Sequence, residues 1–227
     1  MIEGIAESSR SSSCSEVFQS VCDTIGQTYV ERGFRYSRSR PRITAEDAKI
    51  RLDIGLWSSS LRNTPGKRVI LEMVPIFYSK DLPDTPKRGL LFGHPGILSR
   101  RKLDNSSRLT EVHQVYGDTL VRAELPGREP RLAYNNCCNV YGIDSEQLSM
   151  ITGFIDSKIL VWFQDIQEEK GLEVLLRGAD RTAMWSLFGT ETDPNSNFIQ
   201  YLARFPSLDL RDLVPEECRT DYRWLLS

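Results

Sequence analysis

The sequence predicts an α+β fold, with a mixed or mostly antiparallel sheet packed by an N-terminal helix and a C-terminal group of helices. Three observations carry that prediction. A capped amphipathic segment near the start runs into Gly33-Phe34. Strand-like segments follow it. A second capped amphipathic segment opens at Asp144. The chain has 227 residues, 40% of them hydrophobic and 26% charged, which is ordinary for a globular protein with a sizeable core. We expect a flexible Ser-rich lead-in over residues 1–13 and one domain over 14–227, sheet-rich from 34 to 141 and helical from 144 to 227.

Ser13-Cys14-Ser15-Glu16 fits a capping box, in which serine and glutamate each satisfy a free backbone amide of the other. Phe18, Val21, Cys22, Ile25 and Tyr29 then recur at helical spacing, which predicts a helix from Cys14 to about Arg32. Gly33 is placed to end it in a left-handed conformation. Phe34 to Ile43 reads as a first strand, with Pro41 suggesting an edge, and Ala45-Glu46-Asp47 as a turn. Ile50, Leu52, Ile54 and Leu56 alternate with Lys49, Arg51, Asp53 and Gly55, the pattern of a strand with one wet face. Asn63-Thr64-Pro65-Gly66 marks a turn. Val69 to Tyr78 predicts a central strand covered on both faces up to Pro75.

Residues 79–110 read as a long irregular excursion, with a short strand over Gly89 to Phe92. Glu111 to Tyr116, Thr119 to Leu125 and Arg131 to Tyr141 are further strand candidates. Asp144-Ser145-Glu146-Gln147 is a second capping box. Leu148, Ile151, Ile155, Ile159, Trp162 and Ile166 form the stripe of one long helix that Gly171 is expected to stop. Leu172 to Phe188 predicts a third helix. Asp193-Pro194 predicts the start of a short helix through Phe205, and Pro215 that of a last one holding Cys218, Tyr222 and Leu225.

Composition narrows the function. Residues 1–13 lack the basic-then-apolar order of a secretory leader, and no apolar run nears the roughly 20 residues of a membrane span. Five irregularly spaced cysteines suggest a reducing compartment, so a cytoplasmic location is expected. With no C-x-x-C pair and only His94 and His113 as histidines, neither a structural zinc nor another cofactor is expected. The net charge of −2 hides an asymmetry. From Asp144 onward 15 acids face 8 bases, whereas residues 1–143 carry a surplus of five bases. Either the two parts attract each other, or the basic part meets an anionic partner.

Candidate chemistry is sparse. A helix followed by strands, with Asp53 and Glu72 on successive strands, resembles the core of the PD-(D/E)xK nucleases, where two such carboxylates hold a divalent metal. The resemblance implies a lysine two positions after the second acid. Val74 stands there, and Lys80 is six residues farther on. The other reading makes Asp53 part of a solvated face and pairs Glu72 with Arg68 or Arg51. Arg35, Arg38, Arg40, Arg42 and Arg51 are the candidate binding residues. Clustered with Phe34 and Tyr36, they suit phosphates or an acidic protein, or else guard a sheet edge. On one strand Arg38, Arg40 and Arg42 would share a face. Cys138 with His113 carries no signature of a nucleophile, and Pro65-Gly66-Lys67 is not a phosphate loop. Trp57, Trp162 and Trp185 are expected in or near the core. Trp224 either docks the chain end or anchors a partner.

Gly33-Phe34 after the first helix, and Trp162-Phe163 in a later one, make residues 14–78 and 140–172 similar to bacterial domains of unknown function that sit near immunity and defence genes. That resemblance implies a non-enzymatic binding domain. The leading expectation is therefore a binding or adaptor protein that recognises a protein partner. The alternatives are a metal-dependent nuclease or nucleic-acid binder using Asp53, Glu72 and the arginines, and a homo-oligomeric structural protein.

Overall fold

The computed structural model describes residues 12–58, 60, 63–82, 90–93, 120–123, 131–134, 137–178, 197–214 and 216. Helix α1 (Cys14–Val30) starts as its sequence dictates. The Glu16 amide donates to Ser13 Oγ at 3.3 Å, and the Ser13 amide donates to the Glu16 carboxylate at 2.7 Å. It stops just as locally. Gly33 takes a φ of +89°, its amide donates to the Val30 carbonyl, and the Phe34 amide reaches back to the Tyr29 carbonyl. The Phe34 ring packs edge-on against Tyr29, with centroids 5.6 Å apart. Gly33-Phe34 is thus a glycine stop with its apolar clasp. Val17, Val21, Cys22, Ile25 and Tyr29 are buried.

The expected first strand is a hairpin. Strands β1 (Arg35–Ser37) and β2 (Arg42–Glu46) pair antiparallel, and residues 38–41 turn between them. Arg38 and Arg40 therefore lie on a turn and do not share a strand face with Arg42. Pro41 falls in that turn, where a missing amide costs no ladder bond. Ala45 and Glu46 extend β2, and the following turn is made by Asp47, whose Oδ1 accepts from the amides of Lys49 and Ile50.

Strands β3 (Ile50–Trp57) and β4 (Ile70–Ser79) complete an antiparallel meander. On the far side of β4, β8 (Cys137–Asn139) pairs with residues 70–72, and β5 (Leu90–Gly93) with residues 76–78. Pro75 sits between these two partners. A central strand carries a proline here because no described strand pairs with that stretch of its edge. The sheet thus has six strands, in the order β1-β2-β3-β4-β5 with β8 beside β4. β6 (Leu120–Ala123) and β7 (Arg131–Tyr134) form a separate hairpin. The candidate strand over 111–116 lies outside the described residues.

Ile43, Ala45, Leu52, Ile54, Leu56, Leu71, Met73, Phe77 and Cys138 line one sheet face, buried in a single apolar cluster that also takes in α1 and the later helices. α2 (Ser145–Phe154) opens on its capping box, the Gln147 amide donating to Asp144 at 2.8 Å. The expected long helix runs in unbroken helical backbone through residues 145–165, but it is not regular. A π-helical turn (Ile155–Ile159) separates α2 from α3 (Leu160–Asp165), and α4 (Glu169–Arg177) follows. One extra residue in the turn shifts the stripe, so Phe154, Ile155, Ile159, Leu160 and Trp162 are all buried. Gly171 does not stop a helix. It lies inside α4, where a Cβ would collide with the backbone of Asp165.

α4 ends at Arg177 rather than at Phe188, and residues 179–196, which include Trp185 and Asp193-Pro194, lie outside the described residues. α5 (Asn197–Leu202) is held by the Tyr201 hydroxyl, which donates to the Ile166 carbonyl at 2.6 Å. A short α6 (Leu210–Leu213), not foreseen in the sequence, follows Asp209, whose side chain accepts from the Arg211 amide. The helix expected after Pro215 lies outside the described residues, as does Trp224. No described helix is long and apolar enough to cross a membrane.

Candidate functional site

The second face of the sheet collects the charged residues. Strand register aligns Arg35, Thr44, Asp53 and Ile76 in one row across β1 to β4. Ser37, Arg42, Gly55 and Val74 form a second row, Glu46, Arg51 and Tyr78 a third, and Trp57 with Glu72 a fourth. Residues directly opposite on paired strands point to the same side. This is the wet face that the alternation in β3 predicted, but Asp53 and Glu72 are buried on it while Glu46 is exposed.

Asp53 is deeply buried, its side chain only 6% exposed. Its Oδ1 accepts from the Thr44 hydroxyl at 2.9 Å. Its Oδ2 has two guanidinium groups beside it, Arg42 at 3.5 Å and Arg51 at 3.3 Å, with those side chains 51% and 39% exposed. Arg51 also lies over the Tyr78 ring, 4.3 Å from its centroid. Beside this group, Glu46 pairs with both Arg35 and Lys80. Those two cations hold its carboxyl below the usual range, the Lys80 hydrogen bond most strongly. Around these two carboxylates, four cations gather on this part of the face.

Trp57 corrects the expectation of a core tryptophan, being 60% exposed. It closes β3 on the same parity as Arg51, Asp53 and Gly55, so the sequence did hold the signal for a wet-face position. Gly55 makes room for it: a Cβ there would stand 2.7 Å from the indole nitrogen. Half-buried Val74 lies opposite Gly55. The result is an exposed aromatic ring at the border of an arginine field.

The other predicted residues divide. Arg38 reaches away from this face to Asp23 on α1, Nε to Oδ2 at 2.9 Å. Asp23 also accepts from Gln19 and from the Tyr36 hydroxyl. Burial pushes the Asp23 carboxyl up, but these three donors and the Arg38 charge outweigh it and hold it below the usual range. Asp23 lines an open groove of about 720 Å³ along the polar side of α1. Arg40 has no acidic partner among the described residues. Four of the five candidate arginines are thus paired within the chain, three of them on the sheet face.

Asp53 and Glu72 do share a face, yet the register sets them four positions apart along the strands, about 13 Å at the usual strand rise. Ligands to one cation converge to within about 2.6 Å of it, so this pair is not drawn together as a metal site. Among the described residues no group of three His, Cys, Asp or Glu side chains could hold a metal ion. Cys22 is buried, which pushes its thiol well up and makes it a poor nucleophile. Cys138 is buried on the core face of β8, and His113 lies outside the described residues. No protein-family model, curated protein or solved structure matches the chain.

Proposed function

We propose that this protein is a non-enzymatic binding or adaptor protein whose charged sheet face docks a protein partner. In this reading it works in the cytoplasm and is of the immunity- or defence-associated kind that its resemblance implies. The observation that supports the docking surface is Trp57, a large aromatic ring 60% exposed on the sheet face that carries Arg42 and Arg51. Tryptophan and arginine are the residue types most enriched at the energetic centres of interfaces. Arg42 and Arg51 are held by Asp53, so little freedom is lost when a partner meets them. Gly33-Phe34 and Trp162-Phe163, which carry the family resemblance, serve as a helix stop and as core packing, so the sheet face carries the binding role.

The test begins with affinity capture from cell extract by the immobilised protein, followed by calorimetry with the purified partner. Trp57→Ala is expected to cost about 2 kcal/mol of binding, roughly thirtyfold in Kd, and to leave the unfolding midpoint unchanged. A purified partner that binds the variant as tightly as the parent protein would overturn the docking surface. Turnover of a nucleic acid, ester or peptide, lost on substitution of a face residue, would overturn the non-enzymatic reading.

A further inference from the structure

We infer that Arg42, Asp53 and Arg51 form a carboxylate clamp, and that the segment it takes is an acidic stretch of the partner protein. This deepens the docking reading and rests on it. The two guanidinium groups flank the same oxygen of Asp53, so their nearest nitrogens are closer to each other than the sum of 3.5 and 3.3 Å. Both are at ion-pair distance, and among the described residues neither donates a hydrogen bond. Asp53 Oδ1, by contrast, is engaged by Thr44. Arg51 Nε is buried and has no hydrogen-bond acceptor among the described residues. A guanidinium carries five donors in a fixed fork suited to a two-oxygen anion, and here two such forks converge on one carboxylate oxygen, with their side chains 51% and 39% exposed.

Asp53 sets the charge of the clamp. It cancels one of the two positive charges and fixes both groups in place, which leaves a surplus of one for a monovalent carboxylate. The same arithmetic disfavours a nucleic-acid backbone. The clamp is a single site with a surplus of one charge, whereas a nucleic-acid backbone is held by a row of cations along its phosphates. An extended acidic peptide needs one carboxylate at the clamp and can lay an apolar side chain on Trp57 and Val74.

The experiment follows the Nε–H resonances of Arg42 and Arg51 by NMR in the whole protein. The ligands are a blocked hexaglutamate peptide, its hexaglutamine counterpart, and a short single-stranded DNA. Saturable shifts of both resonances with hexaglutamate and none with hexaglutamine are expected. Arg42→Gln should weaken the binding at least tenfold with the remaining spectrum intact. Asp53→Asn, which keeps an acceptor for Thr44, should tighten it severalfold by removing the internal competitor. No saturable shift, equal shifts with hexaglutamine, or DNA binding tighter than hexaglutamate would each overturn the clamp. Trp57→Ala separates the two readings. A partner that depends on Trp57 with a silent clamp sinks the clamp alone, and a working clamp with a partner indifferent to Trp57 sinks the docking surface alone.

Discussion

Gly26 lies under the Tyr36 ring in the middle of α1, where a Cβ would stand 2.5 Å from ring atoms. Alanine in a helix interior ordinarily gains about 1 kcal/mol over glycine. Here overpacking at about 1–3 kcal/mol decides the sign, and Gly26→Ala is expected to lower the urea midpoint. In a Tyr36→Ala background the same substitution should become stabilising, and the double-mutant cycle measures the contact. Tyr29 is fully buried, with its hydroxyl 3.1 Å from the Thr152 carbonyl and 3.0 Å from Asp156 Oδ1. Burial pushes this phenol far up, so it stays a donor. Tyr29→Phe is expected to cost about 1–2 kcal/mol in urea unfolding, because Arg32 still serves Asp156 and only one hydroxyl proton is lost. Asp53 and Trp57 show how far a residue type can be read alone. The parity of β3 sets both on the wet face, against the expectation of a core tryptophan, yet Asp53 is buried between Arg42 of β2 and Arg51 of its own strand, and Trp57 is exposed where Gly55 leaves room for it.

At the scale of elements, both capping boxes were legible because every atom involved lies within four residues. Ser13→Ala is expected to cost about 1 kcal/mol. The β1–β2 hairpin was not legible as a hairpin, because no Asn-Gly or Asp-Gly pair marks its turn. Its place against α1 is fixed by Asp23, which gathers Gln19, Tyr36 and Arg38. The Asp23 carboxyl is held below its ordinary range in the folded state, so its contribution is present above that range and lost as pH falls through the lowered value. Urea midpoints at pH 7 and pH 3 are expected to differ less in Asp23→Asn than in the parent protein. The π-helical turn was not legible either. Its stripe of Leu148, Ile151, Ile155, Ile159, Trp162 and Ile166 reads as a regular helix, and the inserted residue shows only in the folded chain, where Phe154 and Leu160 are buried along with that stripe.

Across the described residues, ion pairs join the basic 1–143 and the acidic 144–227 in both senses. Arg32–Asp156 joins the two parts in the expected sense, whereas Arg204–Asp81 joins them in the reverse sense. Most of the arginine-rich stretch is matched by nearer acids, Asp23, Glu46 and Asp53. A salt series with labelled single- and double-stranded DNA, with and without Mg²⁺, is therefore expected to show weak binding and no cleavage. Steep, salt-sensitive affinity would return the face to phosphate recognition. The sequence by itself determined the α+β class, the two helix starts, the glycine stop and the parity of β3, because caps and alternation act through neighbouring residues. Only the tertiary structure decided which arginines meet which acids, that Asp53 and Glu72 lie apart, and that Trp57 faces outward. Those outcomes depend on strand register and on which surfaces other segments cover, and both are set by contacts between residues far apart in the chain.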